Sequence, residues 1–180
     1  MMISPGEYRI GPSNGRLVLR TSREGMASKV GHDLVIEVTR WQGIVAVPAN
    51  GGMPHMAVQA DMGSLEVREG TGGVKPLTDK DCQEIKGNIA DTLMTAQHPQ
   101  AYFESSSIHF NGDSAIVDGS FTMVGNSQPL RLMVRNGGGM ATATGTIQQT
   151  RWGIKPYKGF MGALKVSDDV DIEVTVPLAG

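Results

Sequence analysis

Cysteine is all but missing from this chain, with a single residue, Cys82, among 180. One cysteine excludes an internal disulfide framework, and its place on an apolar stripe reads as a small core residue rather than a reactive thiol. Histidine is scarce too. His32, His55, His98 and His109 are the only four, and none falls in an H-x-x-x-H, C-x-x-C or His-Glu spacing, so no metal ligand set is expected and no other cofactor is implied. Charged residues make up only 19% of the chain, the net charge is -2 and there is no basic run, which argues against nucleic acid as a partner. No window approaches the roughly 20 apolar residues needed to span a bilayer, so stable membrane insertion is not expected. The opening MMISPGEYRIGPSNGRLVLR contains no apolar leader segment, and the expectation is a cytoplasmic protein. Catalytic signatures are lacking as well. There is no G-x-S-x-G elbow, and the glycine run at 137–139 does not follow the strand-loop-helix order of a phosphate cradle.

Glycine is plentiful at 24 residues, but it is spread between strand-like runs as turn punctuation. Eleven methionines against four phenylalanines point to an interior of flexible side chains that fills a core or adapts to an irregular ligand. Alternation with period two recurs through most of the chain. Leu17, Leu19 and Thr21 share one face of a strand; Leu34, Ile36 and Val38 share the next; Met56, Val58, Ala60 and Met62 share another. Trp41-Gln42-Gly43 reads as an interruption before a strand at 44–47, and further strands are expected at 102–110, 115–124, 130–134, 140–149 and 170–178. Turn pairs separate them: Gly51-Gly52, Asn111-Gly112, Gly125-Asn126 and Asn136 with its three following glycines. The stretch 69–73, rich in glycine, reads as a mobile approach to a helix.

Only one helix is expected. Thr78 is placed as its N-cap, Asp81 completes an acidic variant of the capping box, and Leu77 with Cys82 is placed as a hydrophobic staple. Asp79 and Asp81 suit the positive end of the helix dipole. Cys82, Ile85, Ile89, Leu93 and Ala96 make one apolar stripe, and the helix is expected to stop near Gln97 or His98, because the residue before Pro99 avoids the α region. About eight antiparallel strands with one helical insertion form a single all-β domain over 1–180, a barrel or a sandwich.

Five segments, in order, resemble the YceI-like family, whose members are polyisoprenoid-binding-like proteins with a lipocalin-like barrel. GEYRIGPSNGRLVLRTSREG is similar to the family's opening strand and turn. SKVGHDLVIEVTRWQGIV resembles its histidine-containing strand and aromatic-x-Gly step. LTDKDCQEIKGNIADTLMTAQHPQAYFESSSI resembles the helix and the strand after its proline. GSFTMVGNSQPLRLMV is similar to the G-x-L-T-x-x-G-x-x-x-P-x-x-L hairpin, with Val124 where many relatives carry histidine and Ser127 where they carry threonine. TRWGIKPYKGFMGALKVSDDVDIEVTVPL resembles the terminal segment. The Gly31-His32-Asp33-Leu34 form is similar to the leaderless, cytoplasmic branch.

The resemblance implies an eight-stranded lipocalin-like barrel that binds or carries an isoprenoid- or quinone-like molecule without turnover, and a possible homodimer. Strand phase and size then name Leu34, Ile36, Phe103, Phe121, Met123, Leu132 and Trp152 as lining residues. His32 is the candidate for orienting a head group at the rim, with Asp33 capping or pairing with an arginine. Periodicity by itself is equally satisfied by a dry, filled barrel with a structural or partner-binding role. A hydrolase or isomerase using His32 is the remaining alternative.

Overall fold

A computed structural model describes residues 4–177. In chain order the strands are β1 (Gly6–Ile10), β2 (Arg16–Thr21), β3 (Arg23–Glu24), β4 (Asp33–Val38), β5 (Trp41–Val47), β6 (His55–Asp61) and β7 (Leu65–Thr71). After the helix α1 (Asp79–Thr92) come β8 (Gln100–Asn111), β9 (Ser114–Met123), β10 (Asn126–Gly137), β11 (Met140–Gln148), β12 (Lys158–Gly159), β13 (Leu164–Val166) and β14 (Asp169–Pro177). Eleven of them form one antiparallel sheet in the order β1-β5-β6-β8-β9-β10-β11-β14-β2-β4-β7, and β12-β13-β3 form a small second sheet.

Covalent connectivity turns that ladder into a barrel. Only Thr39 and Arg40 separate β4 from β5, and only the turn Met62–Ser64 separates β6 from β7. The segments from Asp33 and from His55 are therefore the two arms of one long, bent hairpin: β4 pairs with β7 and β5 with β6. At the bend the Thr39 amide donates to the Ser64 carbonyl (3.0 Å) and the Asp61 amide to that of Arg40 (2.9 Å). The buried Ser64 hydroxyl accepts from the Arg40 amide at 3.0 Å and donates to the Asp61 carbonyl at 2.8 Å, so the hydroxyl buried at the corner is paired as both donor and acceptor. Because β2 pairs with β4 and β8 with β6, the two ends of the ladder meet in this hairpin. β1 and β2, interrupted only at 11–15, run along that first arm in the same way, β1 against β5 and β2 against β4. Counting each of these three bent strands once gives an eight-stranded antiparallel barrel, the lipocalin-like class.

Inward positions alternate along the strands as a half-buried sheet requires. In β4, Leu34, Ile36 and Val38 are buried while the intervening residues are not. Gly119 is needed for close approach: a Cβ there would lie 2.5 Å from both the Glu104 carbonyl oxygen and the Phe103 ring. Trp152 anchors one end of the interior. It is fully buried, its Nε1 donates to the Phe121 carbonyl at 2.9 Å, and the two rings meet edge to face at 5.8 Å.

Several boundaries differ from the sequence reading. Trp41-Gln42-Gly43 belongs to β5, and the break lies at Thr39-Arg40. The stretch 69–73 is largely strand, as the end of β7. Leu178 lies outside the described residues. The helix ends at Thr92, short of Gln97, because Met94 takes a left-handed φ of 47° and accepts from the His98 amide at 2.9 Å. Most of the described methionines sit outside the core. Met62 and Met123 are buried, whereas Met26, Met53, Met94, Met133, Met140 and Met161 are exposed.

A cavity under the helix and its mouth

Helix α1 is set as expected at its start. The Thr78 hydroxyl accepts from the Asp81 amide at 3.2 Å while the Thr78 amide donates to Asp81 Oδ2 at 2.8 Å, a reciprocal capping box. The same carboxylate accepts from the Thr78 hydroxyl at 2.7 Å. This bond, then the backbone one, holds the Asp81 carboxyl below its ordinary pKa of 3.8, with His32 and Lys80 adding smaller attraction. Lys86 pairs with Glu66 and ties the helix to β7.

None of the helix residues is buried, although Ile85, Ile89 and Leu93 face the protein. The reason is what they face. The stripe looks onto a cavity of about 560 Å³, walled on one side by α1 and elsewhere by the inward residues of the barrel. That volume is in the range of small-molecule sites, about 300–1,000 Å³. Left as a dry void it would cost about 13 kcal/mol at ~24 cal/mol per Å³, the scale of a whole domain's stability. Such a space is occupied or reached by solvent; it is not a packing defect.

Leu34, Ile36, Phe103, Phe121, Met123 and Leu132 all stand on the cavity wall. Trp152 does not. It lies behind Phe121 and fixes that ring, a supporting position that its size could not distinguish from a lining one. Further wall residues come from the same strand faces, among them Leu17, Leu65, Ile147 and Ile172. The helix stripe also lines the wall; as a sequence feature it is indistinguishable from a stripe packed on a filled core. Gln149 has no sequence signal. It is the buried polar residue on the wall, its Nε2 donates to the Ser167 carbonyl at 2.8 Å, and its Oε1 makes no hydrogen bond among the described residues.

Polar groups gather at the mouth. His32 is there, with Nε2 2.7 Å from the Lys75 carbonyl. That bond ties down the segment leading into α1, so this ring nitrogen holds the rim's backbone. Asp33 accepts from the Arg23 amide at 2.9 Å and lies 3.8 Å from its Nε, which is the arginine pairing expected of it. The Arg23 guanidinium also donates to the Gly31 and Thr71 carbonyls. Gly72 and Gly73 close over these side chains at φ of +78° and +70°, where a Cβ would strike Arg23 at 1.9 Å and His32 at 2.5 Å. Only glycine fits both the conformation and the contact.

The other histidines are dispersed, and no group of three or more His, Cys, Asp or Glu close enough to hold a metal occurs among the described residues. His55 lies 3.5 Å from the Ser105 hydroxyl and 3.9 Å from Glu104. None of the three lines the cavity, and Ser105 already accepts from the Met56 amide at 2.8 Å. No helix of the described residues is long and apolar enough to cross a membrane.

Among solved structures, the chain is similar to BcnA of Burkholderia cenocepacia, at 17% identity and a TM-score of 0.62 over 93% of this chain and 98% of that one. It is also similar to a Campylobacter jejuni YceI protein, at 14% identity and a TM-score of 0.59 over 78% and 81% of the two chains. At these identities the likeness establishes the fold. No curated protein matches. The model of the YceI-like domain matches residues 8–178, nearly the full length that the five motifs cover, and the chain belongs to the YceI-like family.

Proposed function

We propose that the protein holds or carries a hydrophobic, isoprenoid- or quinone-like molecule inside the barrel and does not turn it over. The observation that carries this reading is the continuous cavity of about 560 Å³, apolar along the barrel and the helix stripe, with its charged groups confined to the mouth. Burial of each CH₂ contributes about 0.8 kcal/mol, so an isoprene unit contributes roughly 4 kcal/mol and a short isoprenoid binds without a charged anchor. Gln149 supplies an acceptor for a hydroxyl or similar head group. Membership of a family known for polyisoprenoid binding supports the same class of ligand. An open space of this size is the opposite of the filled barrel that a purely structural role calls for.

Farnesol serves as the probe. Saturable uptake of one equivalent by the wild type is the expected result. Phe121→Asp places a carboxylate on the wall, and it is expected to abolish uptake while the circular dichroism spectrum and a cooperative melt persist. Uptake by folded Phe121→Asp at wild-type affinity, or none by the wild type, contradicts the proposal.

A further inference from the structure

Three segments converge around the cavity mouth: 25–31, 72–78 and 155–166. The Ala27 amide donates to the Ala163 carbonyl at 2.9 Å, β3 pairs with β13, and His32 binds the Lys75 carbonyl. Together they contain no acidic residue and five of the seven lysines of a protein whose net charge is -2: Lys29, Lys75, Lys155, Lys158 and Lys165. All five are exposed, and none forms an ion pair among the described residues. Most arginines elsewhere on the barrel are paired, including Arg40 with Asp61 and Arg131 with Asp118. Acids adjoin the patch at Glu24, in register with Lys165, at Asp33, already held by Arg23, at Asp79, Asp81 and Glu84 at the start of α1, and at Asp168, which bonds Thr150.

The same segments expose large apolar side chains. Met26 is 95% exposed, Val74 72%, Phe160 66%, and Met161 fully. Phe160 and Met161 occupy left-handed conformations, with φ of 47° and 55°, which glycine or asparagine adopts far more readily. Met161 is fully exposed, so no burial of its side chain offsets that strain. Val74 and Phe160 also line the cavity, so the apolar rim is continuous with the apolar interior. An exposed apolar patch interleaved with unpaired lysines is the composition that docks on an anionic bilayer surface.

We propose that the mouth is a peripheral membrane-docking surface that seats the opening of the cavity against anionic lipid headgroups, with Phe160 and Met161 entering the interface and the lysines meeting the phosphates. This places the open end of the cavity where a lipid-soluble ligand enters and leaves. Docking rests on charge and exposure, independently of what the cavity holds.

Sedimentation with large vesicles of phosphatidylcholine, with and without phosphatidylglycerol, tests it. The full chain is expected to bind the mixed vesicles, to bind phosphatidylcholine alone much more weakly, and to be released by salt. Lys29→Gln with Lys158→Gln should weaken binding by about fivefold per lysine. Met161→Asn keeps a residue that tolerates the left-handed backbone, so it folds, and it should weaken binding through loss of the apolar contact. Farnesol uptake is measured in parallel without vesicles. Uptake with no binding to either vesicle refutes docking and leaves the cavity reading intact. Vesicle binding without uptake does the reverse. Equal binding to both vesicles, or mixed-vesicle binding unchanged in the lysine variant, overturns the charge recognition.

Discussion

Replacing Ala60 by leucine distinguishes an open cavity from a filled core by the sign of the stability change. Ala60 lies on β6 with its methyl on the cavity wall. In a close-packed interior three added carbons overfill the site and cost about 1–3 kcal/mol. Facing free space, they gain apolar burial instead, at about 0.8 kcal/mol per carbon, or about 2 kcal/mol in all. For a chain of this length that raises the melting temperature by about 4–8 °C. The same side chain takes up room that a ligand would use, so farnesol affinity should fall while stability rises. Thermal denaturation of the ligand-free protein and a farnesol titration, run on the same preparation, read both effects. A destabilised Ala60→Leu with unchanged farnesol binding would refute the reasoning, because it would mean that the cavity is closed and that any ligand sits elsewhere.

Gln149→Leu removes the side-chain acceptor on the wall, so farnesol binding should weaken by about tenfold, one hydrogen bond's worth, while affinity for a hydrocarbon of matching length is retained or improved. Equal losses for both probes would show that Gln149 acts only by holding the Ser167 carbonyl. Thr78→Ala removes the helix cap, at a cost of about 1 kcal/mol, and because α1 has no buried residue the loss should appear as faster amide exchange in the first turn rather than as global unfolding. The cap also has a pH signature. Asp81 has its pKa depressed below 3.8 by its bonds to Thr78, so its contribution is complete above 3.8 and is lost as pH falls through the depressed value. A carboxyl chemical-shift titration of the wild type should place Asp81 below 3.8, and in Thr78→Ala the midpoint should return toward it. An unshifted midpoint in the variant would assign the depression to other charges.

Strand alternation makes the barrel readable, because a residue such as Ile36 must face inward whatever it meets there. The same logic places six apolar residues on the cavity wall. It fails for Trp152, where bulk does not separate a lining ring from a bracing one, and the indole braces the Phe121 carbonyl. It fails for the end of β7, where Glu69-Gly70-Thr71 carries no apolar residue to alternate and is held by its partner β4 through a bulge between Val35 and Ile36. Helix α1 is legible at its cap, where side chains bond their own backbone, and not at its other end, where a left-handed methionine rather than the proline stops it. Whether its stripe meets side chains or space is a property of the whole barrel, and no local pattern encodes it. The mouth is hidden for a related reason. Its lysines are scattered over three segments and form a patch only once β3 and β13 pair.

The most direct measurement is mass spectrometry of an organic extract from protein purified gently from its own host. A stoichiometric isoprenoid or quinone, diminished in Ala60→Leu, is the expected result. A repeated extract with no lipid, together with no farnesol uptake by the purified wild type, would contradict the carrier assignment.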